Sequence, residues 1–135
     1  KGDVVYIDPP YNSRQYSDTY HLLDNLALWK KPDVFGKARK MDRSHIKSKY
    51  CSKDAVIEFQ DLITKLNTKH IIVSYNNTEN TKHGRSNAKI SFNQIKKILM
   101  KKGKTEINQI DFKAFTTGKS KTDNHKEILF YCRVK

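Results

Sequence analysis

The residues best equipped for chemistry are Asp8-Pro9-Pro10-Tyr11-Asn12, which follow the apolar run Val4-Val5-Tyr6-Ile7. A proline lacks an N–H and cannot continue a central strand, so Pro9 and Pro10 end any strand abruptly. Asp8, preceding a proline, is confined to extended backbone. The turn is therefore stiff, and it would present the Asp8 carboxylate, the Pro9 carbonyl and the Tyr11 ring in a fixed arrangement. Two hydrogen-bond acceptors and one flat aromatic face suit an exocyclic amino group on a planar base, and adenine N6 fits that description. Its lone pair is delocalised into the ring. Acceptors that draw both N–H hydrogens out of the ring plane would localise it for attack on an electrophilic methyl group. Inside a duplex that amino group is buried by pairing, so the base must first be extruded, at a cost of a few kcal/mol.

The plain alternative is a Pro-Pro strand terminator with an incidental Asp and Tyr. Composition bears on the choice. The 135 residues carry 27 Lys and Arg against 14 Asp and Glu, a formal net charge of +13, which favours a polyanionic partner, nucleic acid first. Solvated lysine-rich faces would give the same total. The length suits one domain, residues 1–135, with a modest core. Cys51 and Cys132 are far apart and lack the close Cys/His spacing of a zinc site, so they read as reduced thiols with no metal. No apolar run approaches the roughly 18 residues that span a bilayer, and Lys1-Gly2-Asp3 does not open like a signal peptide. The expectation is a soluble, cytoplasmic protein.

The elements that must hold the motif can be read from periodicity. Val4 to Ile7 is a β-prone run suited to a strand covered on both faces. From Ser17, a candidate N-cap, to Trp29 the apolar residues recur at helical spacing, and Pro32 limits continuation. Lys31 to Lys53 has eight Lys or Arg, two Asp and no sustained period, and reads as a long basic loop. Asp54 to Leu66 is a helix, His70 to Tyr75 a second apolar strand, and residues 76–87 a polar loop. Ser91 can cap a helix bearing Phe92, Ile95, Ile98 and Leu99 that ends near Gly103. Thr105 to Phe115 and Ile128 to Val134 form two more strands that could pair as a hairpin. The alternation argues an α/β fold with its ligand site outside the carboxyl ends of the parallel strands, where Asp8 to Asn12 lie.

The segment "DVVYIDPPYNSRQYSDTYHLLDNLALW" resembles the catalytic segment of DNA adenine-N6 methyltransferases, in which Asp-Pro-Pro-Tyr holds the flipped adenine. "HIIVSYNNTE" is similar to that family's next strand and "KEILFYCRVK" to its last, in the order of the Dam-like arrangement. The resemblance implies a partial Rossmann-like methyltransferase fold: a mixed sheet of about four strands, a C-terminal antiparallel hairpin and flanking helices. It also implies a site-specific enzyme of a restriction-modification system, with S-adenosylmethionine as methyl donor and double-stranded DNA as substrate. Asp8 and Pro9 would bind N6 on the corner made with Pro10, and Tyr11 would stack on the base. Asp8 would also lie near the donor, with Asn12 and Tyr16 shaping the pocket. The loop Thr116 to Lys126, with Lys119 and Lys121, would cover the extruded base.

The family's Phe-x-Gly-x-Gly cofactor loop has no counterpart here. The five glycines (Gly2, Gly36, Gly84, Gly103, Gly118) are all far apart. The chain thus reads as the catalytic half, without the cofactor loop and target-recognition segment and inactive without them. The Val4 to Ile7 strand should then lie at a sheet edge, to be covered by a separate cofactor-binding half or by a homodimer partner. The competing class is a non-catalytic nucleic-acid-binding or assembly subunit, and a third reading moves the acceptor to RNA or a protein amide.

Lys37, Arg39, Lys40, Arg43, Lys47 and Lys49 in the long loop are candidate phosphate contacts, or else solvated. His21 is a lesser candidate for the pocket, the remaining histidines are scattered, and Trp29 and Tyr75 read as core anchors.

Overall fold

A computed structural model of the chain describes residues 2–10, 15–77, 88–111 and 126–135. Nine elements position the motif: β1 (Gly2–Ile7), α1 (Tyr16–Ala27), β2 (Val34–Phe35), β3 (Lys40–Met41), α2 (Ala55–Lys65), β4 (Thr68–Asn76), α3 (Phe92–Lys102), β5 (Gly103–Asp111) and β6 (Lys126–Val134). Four strands form one mixed sheet in the order β1-β4-β6-β5. β1 runs parallel to β4, with Val4 opposite His70 and Ile7 opposite Val73. β6 is antiparallel to both neighbours. The fold is α/β, and the C-terminal pair is the expected antiparallel hairpin.

Strand alternation decides which face is buried. Ile71, Val73 and Tyr75 of β4 and Ile128, Phe130 and Cys132 of β6 point to one side and are fully enclosed. Phe59 and Ile63 of α2 and Ile95, Ile98 and Leu99 of α3 close that side, with the Phe92 and Phe130 rings tilted at 5.4 Å. α3 starts as its sequence requires. Ser91 accepts from the Gln94 N–H while the Gln94 side chain accepts from the Ser91 N–H, a complete capping box. Gly103 follows directly and begins β5 in extended conformation. There a Cβ would overlap the Arg133 carbonyl, so close strand approach demands the glycine.

Several expectations need correction. Val4 and Tyr6 are 56% and 61% exposed, so β1 is covered on one face only. β1 does stand at the sheet edge among the described strands. α1 is capped by Gln15 backbone rather than by Ser17, and none of its residues is buried. Trp29, read as a core anchor, is 75% exposed just beyond α1, with the Lys31 ammonium over its ring. Tyr75 is the core anchor expected. The long basic loop contains a small hairpin, β2 with β3, turned through Gly36 at φ +68° and Arg39 at φ +44°. Two single 3₁₀ turns, Ser44–Ile46 and Lys49–Cys51, follow it.

Candidate active site

β1 delivers Asp8 to the carboxyl end of the parallel pair. Pairing of Ile7 with Val73 sets Asp8 level with Ser74 on β4. Asp8 is exposed, Pro9 buried and Pro10 half-buried. The buried Pro9 therefore anchors the corner while Asp8 beside it is exposed. Tyr11 and Asn12 lie outside the described residues, as do Lys119, Lys121 and all of the Thr116 to Lys126 loop except Lys126.

The chain resumes at Gln15, and here the structure adds a residue that periodicity does not single out. The Gln15 amide accepts from the Ser48 N–H at 2.8 Å and donates to the Ser48 carbonyl at 3.1 Å. One side chain thus pins the end of the motif loop to the basic segment 33 positions away. A second tie is made by Arg43, whose guanidinium holds Asp18 of α1 at 2.8 Å and the Met41 carbonyl at 2.9 Å. The loop after α1 folds back along the helix that follows the motif. At the same end of the sheet, the Asn77 N–H donates to the Lys126 carbonyl and the Asn77 side chain accepts from the Lys126 N–H at 2.9 Å, so the β4 and β6 ends are stapled together.

The remaining candidates separate by environment. Tyr16 is exposed on the first turn of α1 and stacks with Tyr20 at 6.0 Å. His21 is half-buried. Its Nδ1 and the Ser17 Oγ, one turn apart, are shielded from solvent without hydrogen-bond partners among the described residues. In the basic loop, Arg43 is engaged with Asp18, and Lys49 pairs with Glu58 at 2.9 Å, which raises the lysine's affinity for its proton. Lys37, Arg39, Lys40 and Lys47 are exposed and make no ion pair among the described residues. Of six expected phosphate contacts, four thus present unengaged charge. Cys51 and Cys132 are buried free thiols, and burial pushes the Cys51 thiol up from its ordinary pKa. Among the described residues no group of three potential metal ligands occurs, and no helix is long and apolar enough to cross a membrane.

A parallel strand that ends at an exposed Asp8 before two prolines, in a mixed β1-β4-β6-β5 sheet flanked by helices, is an α/β arrangement consistent with a partial methyltransferase fold. Residues 1–82 match the D12 class N6 adenine-specific DNA methyltransferase family, and the chain belongs to that family. Proteins of this family transfer a methyl group and so use a methyl donor, and their substrate is DNA.

Among individual proteins, the chain is 37% identical over 126 residues to the type II methyltransferase M.NlaIII of Neisseria lactamica, covering 93% of this chain and 34% of that protein. It is 37% identical to the modification methylase StsI of Streptococcus sanguinis, over 100% of this chain and 20% of the relative. It is 39% identical to the type II methyltransferase M.FokI of Planomicrobium okeanokoites, over 96% of this chain and 20% of the relative. The chain therefore spans between a fifth and a third of the length of these relatives. No solved structure matches it significantly.

Proposed function

We propose that the chain forms the target-base half of a site-specific DNA adenine-N6 methyltransferase of a restriction-modification system, with S-adenosylmethionine as methyl donor. The carrying observation is the exposed Asp8 on a proline-anchored corner at the carboxyl end of β1. In this reading the Asp8 carboxylate and the Pro9 carbonyl each accept one N6 hydrogen of an extruded adenine, on the turn that Pro10 stiffens, and Tyr11 stacks on its ring. Withdrawal of those hydrogens from the base plane turns the nitrogen lone pair toward the donor. On transfer of the methyl carbon to N6, with the donor sulfur as leaving group, the surplus N6 proton would pass to Asp8 or solvent. S-adenosylmethionine supplies, when bound, the electrophilic methyl carbon.

The residues present fit one edge of a donor site. Asp8 offers a carboxylate to a cationic ligand, and Asn12 follows within the same motif. Gly2, Gly36 and Gly103 are dispersed and form no phosphate- or ribose-cradling loop among the described residues. We therefore assign the glycine-rich part of the donor site to sequence beyond these 135 residues, in keeping with the 34% and 20% coverage of the relatives. That part would also cover the outer edge of β1. The unengaged cations Lys37, Arg39, Lys40 and Lys47 would grip phosphates and offset the cost of base extrusion. Lys119 and Lys121 would do the same from the loop before β6.

The test is methyl transfer to adenine in duplex DNA by the chain with and without a co-expressed cofactor-binding segment. Transfer is expected only with that segment, and Asp8→Ala should abolish it. Tight S-adenosylmethionine binding by the 135-residue chain alone, measured by calorimetry, would overturn the division of labour. Unimpaired transfer by Asp8→Ala would overturn the role of the corner.

A further inference from the structure

The end of the sheet opposite Asp8 carries a cavity of about 760 Å³ between the α2–β4 connection, the end of α3 and the end of β6. Its composition is one-sided. Lys65, Lys69, Lys102, Arg133 and Lys135 line it, and no acidic side chain does so. Two of these cations already have exposed partners outside the lining: Lys65 with Asp61 and Lys69 with Asp3, both at 2.8 Å. Lys102 donates instead to the Thr64 carbonyl at 2.9 Å, which turns its ammonium into the cavity wall. Arg133 and Lys135 have no ion pair among the described residues. Lys102, Arg133 and Lys135 thus line the cavity with no side-chain carboxylate among its lining residues, which makes its wall positive.

Neutral donors complete the wall. Thr64, Asn67 and Thr68 line one side. On the other, the Tyr131 hydroxyl meets His70 Nδ1 at 2.9 Å, and the two rings stack at 5.8 Å. The cross-strand pairing of His70 with Arg133 sets the guanidinium beside this aromatic pair. Small-ligand cavities commonly measure some 300–1,000 Å³, so the volume suits a ligand of nucleotide size. β1 alone separates the cavity from Asp8 by about 20 Å at the usual rise per strand residue.

We propose that this cavity binds a short polyphosphate group, of the kind carried by a nucleoside di- or triphosphate, at a site separate from the target base. A triphosphate brings three to four negative charges to a wall lined by five cationic side chains and no acidic one, and its oxygens accept from the neutral donors. The proposal does not rest on methyl transfer, and Asp8→Ala should leave it untouched.

Titration calorimetry on the 135-residue chain, with inorganic triphosphate in one arm and ATP in the other, tests it. Saturable binding is expected in both arms, weakened at least tenfold in the Lys102→Gln/Arg133→Gln variant with an unchanged circular dichroism spectrum. Tighter binding of ATP than of triphosphate would show that the nucleoside also seats beside Tyr131, and equal binding that the phosphate chain alone is read. If the double variant does not fold, the exposed single substitution Arg133→Gln should weaken binding at least threefold. The proposal is overturned by the absence of saturable binding up to millimolar ligand, by equal affinity in the folded variants, or by displacement of ATP with a short duplex, which would make the cavity part of the DNA surface.

Discussion

Tyr75 is enclosed in the sheet's buried face, and its hydroxyl oxygen accepts the Ile90 N–H at 3.1 Å in the interior. Tyr75→Phe preserves the ring but strands a buried donor, so it should cost about 1–3 kcal/mol in urea unfolding. Cys51 gives a pH-dependent counterpart. Burial raises its pKa, so the folded chain favours the neutral thiol while the unfolded chain ionises at the ordinary value. That contribution is complete below about pH 8.5 and is lost as the pH rises toward the elevated folded value. The melting temperature of the parent should accordingly fall faster with alkaline pH than that of Cys51→Ala, and native Cys51 should alkylate slowly at neutral pH. At this scale the Asp-Pro-Pro corner is legible in the sequence itself, because proline restricts the backbone whatever surrounds it. The Gln15 clamp on Ser48 is not, since a bond across 33 residues leaves no local signature.

Among the elements, α3 is the most readable. Ser91 followed three residues later by Gln94 is a local pattern, and the capping box forms as that pattern requires. Ser91→Ala should lower stability by about 0.5–2 kcal/mol in thermal or urea melts. Gly103→Ala should be worse, a loss of about 1–3 kcal/mol or failure to fold, because the new methyl meets the Arg133 backbone rather than a movable side chain. The strands and α2 fall within a few residues of their expected limits, since continuous apolar runs and helical periods are strong signals. The β2–β3 hairpin is nearly silent in the sequence because two-residue strands carry no period, although Gly36 within a polar turn is a usable hint. α1 shows a different limit. Its apolar spacing correctly announces a helix, yet such spacing reports a face in need of cover and cannot say what covers it. Leu22, Leu23, Leu26 and Trp29 are all more than half exposed in the described structure.

For the molecule as a whole, two of the places where basic residues gather among the described residues are the loop folded along α1 and the opposite end of the sheet. Neutralising Lys37, Arg39 and Lys40 together should reduce the slope of log affinity for duplex DNA against log salt, by up to about 0.9 for each phosphate that no longer meets a cation. An unchanged slope in fluorescence anisotropy would exclude this loop from the interface. The outer edge of β1 and the apolar residues Val4 and Tyr6 beside it should make the isolated chain self-associate in gel filtration, and co-expression with a cofactor-binding segment should suppress it. The strand order carries one more consequence. β6, the last strand in chain order, is an inner one, and it alone joins β5 to the β1–β4 pair. Among the described strands, β1, β4 and β5 are therefore synthesised before the strand that unites them, so this part of the sheet cannot close until residues 126–134 emerge. A stop codon placed just before Lys126 would then leave β5 with no strand partner among the described strands and open the face of β4 that β6 pairs, so it should cost far more than one trimmed ribbon.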